Sequence, residues 1–349
     1  MDPFLITLAV LVFLATVIAL VRARRRDKCL KDLDGFHITM VEQGSNLCWG
    51  RAEVYATGME VTYVEPVLAR EGHWEHSFIF YEDQYEALNA VYRYAKGLTE
   101  EARRRRMVVI NRTVRPGFWR RLGRRLQNWI SMIRDALVQA MTMVIGAAKT
   151  RQPGSTVLMG AQEAQIKALS TEVIGHVGNA YDPLLERHLF SQVVLEVTRN
   201  GRKRSYCGWL KDYTSRFIEV LDAEVNIRAE HLPEAAYAPN DDRLAEVSIQ
   251  AENGRLTIRN NSEMVLYVRS LEAENWQRLM GCVLPADTVA DLLLPPEVVP
   301  ADVRVWIGSV DRIDMVVPRA HAVIRHAAQG PGLGRSLPPS GHMLPTGFG

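Results

Sequence analysis

Between Phe4 and Val21 the chain runs FLITLAVLVFLATVIALV, 18 residues without a charge, and no other feature restricts the possible folds as much. At the helical rise of about 1.5 Å per residue, a run of this length reaches across the hydrocarbon layer of a bilayer. Only Met-Asp-Pro precedes it, and the positive residues follow it as RARRRDK. A secretory signal carries its positive residues first and ends at a small-residue cleavage site. Residues 1–28 therefore read as an uncleaved transmembrane anchor with a basic flank. The cluster Arg22–Lys28 places the C-terminal side in the cytoplasm by the positive-inside rule. The expectation is a single-pass protein of a bacterial-type inner membrane with the bulk of its chain cytoplasmic.

The remaining length is enough for two or three ordinary domains, since 47% of 349 residues are hydrophobic. A formal charge of +2 excludes a chain built throughout to coat a polyanion, so any basic surface is local. Four cysteines, Cys29, Cys48, Cys207 and Cys282, make neither a CxxC nor a zinc spacing, and they do not form a disulfide framework.

One phrase occurs twice. WGRAEVYATGMEVTY (Trp49–Tyr63) returns as CGWLKDYTSRFIEVL (Cys207–Leu221), each copy following an alternating apolar strand and a turn. Gly50 and Gly208 occupy corresponding places, with Tyr55 and Tyr213 five residues on, and a one-residue shift brings Glu60 and Val61 onto Glu219 and Val220. A glycine inside a strand marks a bulge or sharp bend, which small barrels need at their corners. These four residues are the candidate barrel-corner and assembly positions. A short helix, DPLLERHL with Pro183 in its first turn, precedes the second copy.

The order of helix and bent strands in LLERHLFSQVVLEVTRNGRKRSYCGWLKDYTSRFIEVLDA resembles the Sm-like small β-barrels. That resemblance covers about forty residues and implies oligomerisation rather than a particular chemistry. Two small barrels are expected, at 29–80 and 181–230.

Between them a helical region is expected over 81–180. Tyr85, Leu88, Val91, Tyr92, Ala95 and Leu98 fall on one helical face, and TEEA at Thr99 looks like a cap for the segment that follows. From Arg103 to Arg125 there are ten arginines and no acid. Arg103, Arg104, Arg105, Arg106, Arg120, Arg121, Arg124 and Arg125, with Trp119 and Trp129, make the candidate surface for anionic lipid. Nucleic acid is the less favoured polyanion, and a solvated charged face is the plain alternative. From Trp119 onward the segment reads as a long amphipathic helix that lies in a membrane plane or packs in an oligomer. A second span over 129–148 would bury Arg134 and Asp135, each costing about 2.5–3.5 kcal/mol at a helix centre.

After a linker the pattern becomes all-β. Val247, Ile249, Leu256, Ile258, Val265, Tyr267 and Leu271 alternate around turns at ENG and NNS, and residues 240–328 resemble an immunoglobulin-like β-sandwich without its paired cysteines. Such a module implies adhesion to a partner, here another membrane protein. Residues 329–349 are too rich in Gly, Pro and Ser to pack a core and are expected to be disordered.

Catalytic candidates are thin. His73 and His76 lack a third ligand, and Asp182, Glu186 and His188 sit on a short helix that a capping role explains. No catalytic residue, metal or cofactor is expected. The fold class expected is an α+β multidomain membrane protein: N-terminal transmembrane helix, two small β-barrel modules separated by amphipathic helices, and a C-terminal β-sandwich. The function expected is a non-enzymatic, homo-oligomeric, membrane-anchored scaffold. Its alternatives are a pore-like assembly and a membrane-tethered RNA-binding protein.

Overall fold

The computed structural model describes residues 26–44, 46–68, 72–114, 182–226, 232–241, 243–244 and 246–328. The first unit opens with Asp27, whose carboxylate accepts the N–H groups of Cys29 and Leu30 and so starts helix α1 (Lys28–Lys31). Four antiparallel strands follow as a meander: β1 (His37–Glu42), β2 (Leu47–Val54), β3 (Gly58–Leu68) and β4 (Trp74–Tyr81). A 3-10 turn, Glu82–Ala87, then returns the chain as β5 (Leu88–Tyr94) to pair with β1. Helix α2 (Glu100–Val114) follows it.

The second unit repeats the plan. Asp182 caps α3 (Pro183–His188) through the N–H groups of Leu184 and Leu185, and the strands β6 (Gln192–Arg199), β7 (Arg202–Tyr213) and β8 (Phe217–Glu224) form the meander. The turn between β6 and β7 is Asn200-Gly201, both at positive φ, the pairing that a tight hairpin demands.

Equivalence of the two units is visible bond by bond. Gly35 N–H donates to the Ala52 carbonyl at 2.7 Å, and Phe190 N–H donates to that of Leu210 at 2.8 Å. Tyr55 N–H reaches Gly58 O at 2.8 Å as Thr214 N–H reaches Phe217 O at 2.9 Å. Gly50 faces Ile38 and Gly208 faces Val193. Glu60 and Val61 match Glu219 and Val220 because β7 carries one extra residue, Lys211, where its pairing with β8 slips between Leu210 and Asp212. The same bulge puts Tyr213, opposite Ile218, in the place of Val54, opposite Met59, so Tyr55 and Tyr213 are not structural equivalents.

A sandwich interrupts the second unit. After β8 the chain makes β9 (Ala235–Tyr237), β10 (Val247–Glu252), β11 (Arg255–Asn260), β12 (Leu266–Ala273), β13 (Trp276–Leu284), β14 (Thr288–Leu293) and β15 (Arg304–Ser309). They form a three-stranded sheet, β10-β11-β14, and a four-stranded one, β13-β12-β15-β9. Ile249, Ile258 and Leu292 from one sheet meet Leu266, Val268 and Val305 from the other in a common core. Only then do β16 (Arg312–Pro318) and β17 (Ala322–Ala327) complete the second unit, pairing with β8 and β6. Asn226 ties the point of exit to the point of return, donating to the carbonyls of Val265 and Val310, both at 2.7 Å, and accepting from Val265 N–H.

The two units share one ten-stranded sheet in the order β17-β6-β7-β8-β16-β5-β1-β2-β3-β4. Their joint is β5 against β16. This explains why Tyr85 to Leu98 does not form the expected helix. Strand β5 lies in the middle of the sheet and is buried along its whole length, Ala90, Tyr92 and Tyr94 facing one core and Leu88 and Val91 the other. A strand buried on both faces loses the alternation that would distinguish it from a buried helix.

The expected fold class is corrected accordingly. The described chain is mostly β-sheet, with few helices. Its one longer helix, α2, carries Glu100, Glu101 and five arginines, and among the described residues no helix is long and apolar enough to cross a membrane. The transmembrane anchor, and with it the single-pass inner-membrane placement, therefore has no counterpart there. The run Phe4–Val21 lies outside the described residues, as do the amphipathic segment over 119–148 and the tail from 329.

Candidate functional site

Burial of charge concentrates at the joint between the units. On β16, Asp314 lies opposite Arg93 of β5, and its Oδ2 accepts from Arg93 Nε at 2.8 Å and from Arg106 Nε of α2 at 2.6 Å. Its Oδ1 accepts from Arg106 and from the Asp222 N–H. Arg93, Arg106 and Asp314 are all buried. Burial pushes the Asp314 carboxyl upward, but the two guanidinium groups outweigh it and hold it well below the usual carboxylate range. Asp222 extends the network, accepting from Arg106 at 3.1 Å and from Arg312 at 2.8 Å.

A second buried pair lies beside it. The bulge residue Lys211 donates to Glu219 at 2.9 Å and to Asp32, after α1. Burial raises the Glu219 carboxyl to about 7, with Lys211 and Arg93 offsetting only part of the cost. Its Oε2 has no hydrogen-bond partner. The first cluster pins α2 across the joint of β5 and β16, and the second ties the end of α1 to the second unit.

The arginine residues expected to meet lipid divide. Arg106 is consumed by the buried network. Arg105 stacks over Phe36 at 4.8 Å, and Arg103 and Arg104 are exposed and paired with Glu100 one turn before them. Arg120, Arg121, Arg124, Arg125, Trp119 and Trp129 lie outside the described residues. Of the corner positions, Gly50 and Gly208 sit where strands cross closely. A Cβ on Gly50 would run into the Thr62 carbonyl, and one on Gly208 would lie 2.6 Å from Val220 Cγ1 and 2.8 Å from Ala223 Cα. Tyr55 is exposed, its hydroxyl donating to Glu53, whereas the Tyr213 hydroxyl is enclosed against Asp182 and Glu186 of α3.

The basic residues of the second unit are engaged within the chain. Arg202 and Arg204 meet Asp287 of the sandwich, Lys203 meets Glu196, and Arg216 meets Glu82 of the first unit. Tyr213 is buried, whereas Arg202 and Lys203 stay largely exposed while making these pairs. Among the described residues no group of His, Cys, Asp or Glu could hold a metal ion. A cleft of about 550 Å³ separates the first unit from the sandwich near Arg51, Lys96 and Arg269. His37 closes one wall of it, its ring against the carbonyls of Met280 and Gly281.

What remains open is the sheet itself. Among the described residues β4 and β17 each have a strand on one side only. Exposed strand edges are templates for pairing and are ordinarily blunted by charge. Here β4 exposes Trp74 (63%), Ile79 (52%) and Tyr81 (53%), and β17 exposes Val323 (45%). Val64 of β3 is also exposed but faces the cleft toward the sandwich with Leu279, and Tyr55, Val108 and Val299 are exposed elsewhere. No residue of either edge was singled out for assembly from sequence. The alternation of Ser77, Ile79 and Tyr81 could not say that this strand would be terminal.

Comparison with known protein families, with curated proteins and with solved structures finds no match to this chain.

Proposed function

We propose that this protein is a non-enzymatic scaffold that assembles with copies of itself. The observation that carries the reading is that, among the described residues, the two end strands of the ten-stranded sheet each have a strand on one side only, with Trp74, Ile79 and Tyr81 exposed on β4 and Val323 on β17. A strand edge offers a row of backbone donors and acceptors to a second strand and gives the contact direction. The buried charges support a structural role, since each of Arg93, Arg106, Asp314 and Lys211 is occupied in holding units and helices together. Purified full-length protein measured by light scattering after size exclusion is expected to be a homo-oligomer whose mass survives nuclease and moderate salt. A monomer at micromolar concentration would refute the reading, and nuclease-protected RNA on which the mass depends would replace it with the RNA-binding one.

A further inference from the structure

We infer that copies of this chain join head to tail, β4 of one pairing antiparallel with β17 of the next in the register that β16 and β5 already use inside the chain. The inference rests on the scaffold reading above and adds which strands meet and in what alignment.

The chain contains one instance of the contact. Strand β16 is the fourth strand of the second unit, as β4 is of the first, and β5 is the fifth strand of the first unit, as β17 is of the second. These equivalences are fixed by pairing. Phe78 faces Val61 as Met315 faces Val220, and Tyr81 faces Gly58 as Pro318 faces Phe217. Likewise Tyr92 faces Thr39 as His326 faces Val194, and Leu88 faces Glu42 as Ala322 faces Val197. Even the hydrogen bonds that turn the chain into the fifth strands repeat, Gln43 N–H to Ala87 O and Thr198 N–H to His321 O, both at 2.8 Å.

Within the chain, Met315 lies opposite Tyr92 and Asp314 opposite Arg93. Carrying the equivalences outward, Phe78 of one chain lies opposite His326 of the next, and Ser77 lies opposite Ala327. The two free edges are thus the two halves of a contact whose other copy is already made. The exposed apolar side chains Ile79, Tyr81 and Val323 sit on these strands, where the pairing would cover them.

One difference sets the character of the outer contact. The buried Asp314–Arg93 pair of the joint is replaced by Ser77 and Ala327, so the outer contact has no counterpart of that buried pair to desolvate, and the ion pair at the β17 edge, Arg325 with Glu196, is an exposed one. The outer contact therefore draws mainly on apolar burial and backbone hydrogen bonds, and moderate salt is expected to leave it intact. Because β4 and β17 are different surfaces, the contact is heterologous and closes into a ring when its rotation permits. Such a ring holds two units per chain, with inner joints and outer contacts alternating.

The test uses the full-length chain with Cys207→Ser, which leaves only the buried Cys29, Cys48 and Cys282. Ser77→Cys combined with Ala327→Cys is expected to give disulfide-linked multimers on mild oxidation, while either substitution alone and the off-register pair Ser77→Cys with Val323→Cys are not. Separately, Ile79→Lys and Val323→Lys, both at exposed positions, are each expected to reduce the native oligomer to monomer with an unchanged far-UV spectrum. An oligomer that ignores both lysine substitutions and fails to cross-link in register overturns this pairing while leaving the scaffold reading standing. A chain that is monomeric before any substitution overturns both.

Discussion

Replacing Asp314 by Asn tests the joint most directly. The carboxylate is 2% exposed and answers two buried guanidinium groups, Arg93 at 0% and Arg106 at 4%. Asparagine keeps the volume but removes the charge and turns one acceptor into a donor facing Arg93 or Arg106. Removing one partner of a buried ion pair costs about 3–5 kcal/mol, because the charge left behind is neither solvated nor paired. At about 2–4 °C per kcal/mol for a cooperative unit of this size, the melting temperature should fall by about 6–20 °C. Replacing the whole cluster by apolar side chains, Asp314→Leu with Arg93→Met and Arg106→Met, should recover most of the loss, since no charge is then stranded. The assay is thermal unfolding followed by circular dichroism at neutral pH and again below pH 4. The Asp314 carboxyl is held below its unfolded value, so its contribution is complete above the unfolded pKa and disappears as pH falls through the folded one. The difference between native protein and Asp314→Asn should shrink in acid. A difference under about 1 kcal/mol at pH 7, or one that does not shrink in acid, would refute the claim that this carboxylate pins α2 across the joint.

Other perturbations probe other parts of the fold. Glu219 has the opposite sign: its folded pKa is raised to about 7, so the unfolded chain gives up this proton first and stability falls as pH climbs from about 4.3 to about 7. Glu219→Gln should flatten that part of the stability profile, and an identical slope in both proteins would show that the buried carboxyl is not responsible. Gly50→Ala should unfold or severely destabilise the first unit, because even one methyl meets the Thr62 carbonyl of the adjacent strand; a melting temperature within 1–2 °C of the native protein, equivalent to under about 1 kcal/mol, would deny the close crossing. Burial pushes the Cys48 thiol up to about 12 and raises that of Cys29 well above its ordinary range. Iodoacetamide at pH 8 should therefore modify at most the half-buried Cys207 in folded protein and all four cysteines in denaturant, with mass spectrometry as the readout.

Much of the local structure is legible in the order of residues, because its causes lie within a few positions of one another. Asp182 before Pro183 announces a capped helix, Asn200-Gly201 and Asn253-Gly254 announce tight hairpins, and both pairs adopt the positive φ those turns require. The correspondence of the two phrases has local causes as well: Gly50 and Gly208 each sit at a close strand crossing, and the offset that aligns Glu60 with Glu219 is the bulge at Lys211. What residue order could not contain was the partner of each strand. Strand β16 belongs beside β8, yet some ninety residues of sandwich separate them, and nothing in RIDMVVP distinguishes a strand of the sandwich from one of the second unit. Strand β5 reads as helical because burial on both faces erases its period, and that burial exists only once a core has packed on each face, Tyr92 and Tyr94 against Tyr267 and Val283 of the sandwich and Val91 within the first unit. Arg106 looked like one of a run of surface charges until the sheet brought Asp314 and Asp222 to it from more than a hundred residues away. Short-range hydrogen bonding and sterics are written residue by residue, whereas which edges are covered, which charges are neutralised and which strands stay open depend on contacts between distant segments. The tertiary structure alone decided those, and with them which two strands end the sheet among the described residues.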